Sequence, residues 1–223
     1  MKKLTKKQKL TTLNIFFVLL GFLCNQYALL AVNSFGSHLT KLPYAWIFII
    51  IALIATALAL AVTQKQNKNV TVNGKWYYSG LFVLAFYIYY LLMMMILTAL
   101  GLNATQSNQE TLATVFKNNE IIIGLSTVLI APVTEEIIFR ELLPQLGYPF
   151  LDKKWNKYNW VFYAISALLF TILHSPAGIM GWVSYGSLAI FFTLVRIYSN
   201  SVNTSIITHM LWNGIVVSTM LMS

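Results

Sequence analysis

Six stretches of this chain are apolar over about the 20 residues that a helix needs to cross the hydrocarbon core of a bilayer. They run roughly over Asn14–Val32, Tyr44–Val62, Trp76–Leu100, Ile121–Leu146, Gly181–Tyr198 and Thr204–Met222. A shorter one, Trp160–His174, falls between the fourth and the fifth. Of the 223 residues 58% are apolar and 9% are charged, against about 25% charged in a soluble domain. No water-soluble fold of this length hides so much apolar surface. The expectation is an all-α, polytopic transmembrane helical bundle of about seven spans. The short span is expected to tilt, to begin at headgroup level or to stop inside the membrane.

The net charge of +9 suggests nucleic acid until its distribution is considered. Lys2, Lys3, Lys6, Lys7 and Lys9 crowd the N-terminus, and Lys65, Lys68, Lys75, Lys153, Lys154 and Lys157 follow the second and fourth spans. Arg196 closes the sixth span in chain order, and the alternate loops hold only Lys41 and Lys117. All the clusters fall on one side if the N-terminus is cytoplasmic, which is the positive-inside pattern facing anionic lipid rather than a groove for phosphates. The expected partner is therefore the lipid bilayer, with no nucleic acid. Trp76, Tyr77, Tyr78, Trp155, Tyr158 and Trp160 suit an interfacial aromatic belt. The N-terminal lysines followed by Ile15–Leu23 resemble a signal peptide, but no small-residue cleavage site follows. An uncleaved first span is expected. The single cysteine, Cys24, lies in that run and permits no disulfide framework or thiolate cluster within one chain.

The longest polar stretch, Asn103 to Glu120, is expected in an outer loop, with Leu112, Val115 and Phe116 spaced for a short amphipathic helix. His38 is expected at the surface of another loop. Residues 1–118 read as three spans and this loop, and residues 119–223 as a core that carries the chemistry.

Three of the six acidic residues, Glu135, Glu136 and Glu141, lie in the apolar segment LIAPVTEEIIFRELLPQL. An ionised carboxylate at the centre of a membrane helix costs about 3 kcal/mol on insertion scales, so two adjacent ones demand a reason. Arg140 is one helical turn beyond Glu136 and meets it on one face, while Glu135 is turned about 100° away toward another partner. Pro132 removes a backbone bond and kinks the helix. A structural ion pair would account for one glutamate and the arginine, but not for the second glutamate. His174 ends the short span, just before Pro176. His209 and Asn213, four apart, share a helix face and offer two hydrogen-bond donors, as an oxyanion site requires. Each of these alone also suits a helix–helix polar contact; together, three separate helices supply polar groups within the last ninety residues.

The residue types narrow the reaction. There is no H-E-x-x-H zinc motif, the only aspartate is Asp152 in a basic loop, and Ser184 and Ser187 show no dyad spacing with a histidine. A glutamate acting as general base on water remains. Counting 1.5 Å per residue from the inner end of each span puts Glu135 roughly 16 Å, His174 roughly 21 Å and His209 roughly 8 Å deep, so tilt, a kink at Pro132 or a recessed short span is required to bring them level.

EEIIFR (Glu135, Glu136, Arg140) resembles the E-E-x-x-x-R motif of the CAAX protease and bacteriocin-processing family, also called CPBP or Abi. FTILH (Phe170, His174) is similar to its F-x-x-x-H motif, and HMLWN (His209, Asn213) to its third, in the same order over roughly residues 120–218. The resemblance implies an intramembrane endopeptidase in which Glu135 and His174 activate water and His209 and Asn213 hold the oxyanion. Glu136, Arg140 and Phe170 would support the site. No cofactor is the favoured expectation, because Asn213 then has a clear task; the resemblance also implies a zinc alternative, held by Glu135, His174 and His209. A short lysine-rich chain suits the bacterial branch, in a Gram-positive plasma membrane, with a membrane-associated peptide or protein as substrate and a role in bacteriocin self-immunity or peptide maturation. Two readings stand beside it. One is a non-catalytic immunity or regulatory binding protein of the same fold. The other is a small transporter with a proton-coupled carboxylate, which the lack of two corresponding halves disfavours.

Overall fold

The computed structural model describes residues 6–35, 42–66, 76–102, 120–145 and 157–222. The expected outer-loop helix over 103–119, His38, and the lysines at 68, 75, 153 and 154 lie outside them. The described residues form helices and no strand: α1 (Lys6–Phe35), α2 (Leu42–Gln66), α3 (Ser79–Ala99), α4 (Glu120–Gln145), α5 (Lys157–Leu173), α6 (Gly178–Ser199) and α7 (Val202–Leu221). A 3₁₀ turn, Trp76–Tyr78, leads into α3. Six of the seven are long and apolar enough to cross a membrane, and α5 is the exception. Its 17 residues reach roughly 25 Å, short of a hydrocarbon core of about 30 Å. The chain is a polytopic helical bundle.

Two compact units alternate along the sequence. The first takes α1, α2, α4 as far as Ile137 and α7 from Asn213 onward; the second takes α3, α4 from Ile138, α5, α6 and α7 as far as Trp212.

In the first unit α1 and α2 run antiparallel in a register set by three pairs. Asn14 Nδ2 donates to Thr63 Oγ1 at 2.8 Å, Gly21 lies against Thr56, and Tyr27 stacks on Phe48 at 5.6 Å. As the first number of each pair climbs, the second falls. The seam is made of small residues, Ala28, Ala45, Ala52, Ala55 and Ala59, all buried. Lipid offers no hydrophobic drive to bring helices together, so close backbone approach and buried hydrogen bonds must do it. Gly21 shows how close: a Cβ there would sit 2.8 Å from Thr56 Oγ1. Leu19, Leu23, Leu30, Ile47, Ile50 and Ile54 point outward and are exposed, as lipid-facing positions should be.

In the second unit an aromatic cluster ties α3 to α6 and α7. Phe86 stacks on Phe191 at 4.3 Å and meets Trp212 edge-on at 4.9 Å, and Tyr90 meets the same indole at 5.3 Å. Ser79 Oγ donates to the Thr204 carbonyl at 3.3 Å. The corner between α6 and α7 is tight. Asn200 ends α6 in the left-handed region, φ 51°, and Ser201 Oγ accepts the Thr204 N–H at 3.4 Å, capping α7.

Candidate active site

The second unit gathers Arg140, Phe170, His174 and His209. Phe170 is 1% exposed on the inner face of α5. The His174 ring stacks on it at 4.3 Å between centroids, the His209 ring lies 6.1 Å from it at 60°, and the Arg140 guanidinium lies over it at 5.0 Å. Both imidazoles therefore reach the same phenyl ring although one ends α5 and the other sits a third of the way along α7. The two histidines, placed at different depths by counting residues, lie against the same ring, and α5 is the shortest of the seven helices.

The end of α5 is built to present His174. Ser175 turns into the left-handed region at φ 47°, Pro176 cannot continue the helix, and α6 begins at Gly178. Gly181 lets this corner fold close over the start of α6: a Cβ there would meet Pro176 backbone atoms at 3.1 and 3.2 Å. His174 Nδ1 lies 2.8 Å from the Phe170 carbonyl oxygen, one turn back. A carbonyl only accepts, so Nδ1 carries the proton. In that tautomer Nε2 is the acceptor nitrogen of the ring.

Two aromatic residues of α6 complete the enclosure, and neither was picked out from the sequence. The Tyr185 ring lies 4.9 Å from that of His174. Phe192 stacks on His209 at 4.2 Å and 22°. The signal was present: Tyr185, Leu188, Ala189, Phe192 and Arg196 recur at the spacing of one helix face, and all are buried.

Arg140 is fully buried, and its Nη2 donates to the Ala189 carbonyl at 3.1 Å. The same α4 segment holds Glu141, whose Oε2 accepts from Arg196 Nη2 at 2.9 Å and whose Oε1 accepts from Gln145 Nε2 at 2.7 Å. Arg196, expected as a topology charge at a span end, is instead a buried ion-pair residue, 8% exposed. One carboxylate oxygen ties α4 to α6 through Arg196 and the other is taken by Gln145 on α4 itself, so Glu141 serves the packing of these helices.

The first unit carries Glu135, Glu136 and Asn213. Glu136 is fully buried and Glu135 half-buried. Both lie on a turn of α-helix, Ala131–Glu136, bracketed by two widened π turns, Ser126–Ile130 and Ile137–Leu142. Such turns change the rotational register along a helix and are frequent at functional sites. The first of them meets Pro132, and Thr134 Oγ1 donates to the Ile130 and Ala131 carbonyls at 2.9 and 3.0 Å. Asn213 on α7 is anchored to the same helix: its Nδ2 donates to the Thr127 carbonyl at 2.9 Å. Among the described residues no three His, Cys, Asp or Glu side chains form a group that could hold a metal ion.

Residues 117–215 match the family model described as type II CAAX prenyl endopeptidase Rce1-like. No curated protein and no solved structure matches the chain. Over residues 117–215, a little under half of its 223 residues, the chain is similar to the Rce1-like family of type II CAAX prenyl endopeptidases.

Proposed function

We propose that this chain is an intramembrane endopeptidase that hydrolyses a membrane-associated peptide or protein with water activated by Glu135. The observation that carries the reading is the pair of imidazoles on one buried phenyl ring, with His174 committed through Nδ1 to a backbone carbonyl. That commitment fixes the ring and leaves Nε2 as an acceptor, which is what a residue orienting a water needs. By the family's motif order, Glu135 takes a proton from that water as its oxygen attacks the scissile carbonyl carbon. The negative charge then developing on the carbonyl oxygen is received by His209 and by the carboxamide of Asn213. When the C–N bond breaks, the proton held by Glu135 passes to the leaving amine, so the carboxylate is regenerated. Half-burial suits Glu135 to this role, since water must reach it. Glu136, Arg140 and Phe170 support the site, Arg140 by holding α4 to the Ala189 carbonyl. No step requires zinc or another cofactor. The bilayer is the partner that presents the substrate. The setting that the resemblance suggests is bacterial, in peptide maturation or bacteriocin self-immunity.

The test is cleavage of a panel of membrane-associated peptides by purified protein, with Glu135→Gln and His174→Ala alongside, each with and without a strong zinc chelator. Loss of cleavage in both variants, with wild-type cleavage kept in chelator, is expected. Chelator-sensitive cleavage restored by zinc would replace this mechanism with a metalloprotease. A Glu135→Gln variant that keeps the biological activity in full would make the chain a binding protein of the same fold.

A further inference from the structure

The anchoring of Asn213 has a cause in the backbone of α4. In an α-helix the Thr127 carbonyl would accept from the N–H of Ala131, four residues on; in a π turn it would accept from residue 132, five on. Here the Ala131 N–H donates to the Ser126 carbonyl, five back, so the first donor is spent elsewhere. The second does not exist, because residue 132 is proline. The Thr127 carbonyl is therefore denied both of its helical donors, and at membrane depth a bare carbonyl must be received by something other than water. Asn213 Nδ2 receives it at 2.9 Å.

We propose that Pro132 is a positioning residue: by denying the Thr127 carbonyl a backbone donor, it makes that carbonyl the anchor that orients the Asn213 carboxamide. The bond also settles which way the amide faces, since only Nδ2 can donate to a carbonyl. One Nδ2 hydrogen is used by the anchor. The other remains for a substrate oxygen, and the anchor fixes where it points. Pro132 thus does more than interrupt the backbone bonding of α4, and the first π turn is the other half of the device. The part of this inference that concerns catalysis rests on the oxyanion role proposed above for Asn213; the part that concerns the hydrogen bond does not.

Pro132→Ala supplies the missing N–H. Whether the turn stays π or closes to α, the Thr127 carbonyl then gains a backbone donor that competes with Asn213, while alanine is a better helix residue than proline, so folding is kept. The first readout needs no substrate. In full-length protein labelled with ¹⁵N-asparagine in detergent micelles, the two Nδ2 protons of Asn213 are assigned by their loss in Asn213→Ala. One is expected downfield and slow to exchange in wild type, and Pro132→Ala is expected to move it upfield and raise its exchange rate about fivefold or more, the loss expected when a net bond of about 1 kcal/mol or more opens. Superimposable Asn213 signals in the two proteins would overturn the proposal whether or not any substrate is cleaved. The second readout is kinetic. Pro132→Ala is expected to lower kcat about tenfold to a hundredfold with KM unchanged, and to leave little further loss for Asn213→Ala to cause. A shifted amide signal with unchanged kcat would keep the anchor and refute the oxyanion role. Additive kinetic losses in the double variant would refute action through Asn213.

Discussion

Replacing Glu141 by Gln removes the carboxylate that Arg196 bonds while keeping side-chain shape. The arginine side chain is 9% exposed and the glutamate 5%, so the guanidinium keeps its charge in a place without water to screen it. Breaking such a buried pair from one side costs about 3–5 kcal/mol, most of it the burial of the remaining charge. Gln145 moderates the loss, because its Nε2 bond at 2.7 Å to Oε1 can persist to the amide oxygen, and the lower end, about 3 kcal/mol, is expected. For a chain of this size that corresponds to a fall in apparent Tm of roughly 6–12 °C, at 2–4 °C per kcal/mol. The assay is thermal unfolding in detergent of wild type, Glu141→Gln, Arg196→Met and the double variant. Each single variant should fall by that amount, and the double variant should lose much less than their sum, because it buries no charge. Strictly additive losses, or single losses under about 1 °C, would refute the assignment of Glu141 to the structural pair. The same experiment separates the glutamates: Glu135→Gln is expected to keep the wild-type Tm.

Three further outcomes follow from the packing. Gly21→Val puts two methyls beyond a Cβ position already 2.8 Å from Thr56 Oγ1 and 3.5 Å from the Ala52 carbonyl; it should destabilise the first unit by about 1–3 kcal/mol in chemical denaturation, and Thr56→Ala should recover part of this, whereas no loss would mean that the two helices do not approach so closely. Phe192→Leu removes the ring stacked on His209 at 4.2 Å; with the pair worth about 0.5–1.5 kcal/mol, kcat should fall about two- to tenfold at constant KM, and an unchanged kcat with a lowered Tm would make Phe192 packing alone. Asn14→Ala leaves Thr63 Oγ1 without the 2.8 Å bond to Asn14 and should cost about 1 kcal/mol of stability in the same denaturation assay with no effect on kcat; a selective loss of kcat would instead bring the first hairpin into the chemistry.

Much of this architecture is legible in the sequence because a bilayer leaves a helix few choices. The apolar runs mark the six long helices to within a few residues at most ends, and the shortness of Trp160–His174 already sets this element apart from the other six. The motif residues are legible because charge at membrane depth is expensive and stands out. What the sequence conceals is which partner each charge takes. The ion pair formed by Glu141 and Arg196 spans 55 positions and depends on how α4 and α6 are rotated, which no local spacing reveals. The two π turns are equally hidden, since no residue type in the segment marks where a helix widens. Tyr185 and Phe192 read as ordinary apolar positions on one face of α6 until that face is seen against the histidines.

The central claim is hydrolysis by a glutamate-activated water, and the most direct measurement is mass spectrometry of a membrane-anchored peptide incubated with proteoliposomes containing either wild-type protein or Glu135→Gln. The account predicts a new peptide C-terminus with wild type and none with the variant, while both proteins unfold at the same temperature. The same fragments from both, or an intact peptide with wild type across a broad panel, would contradict it.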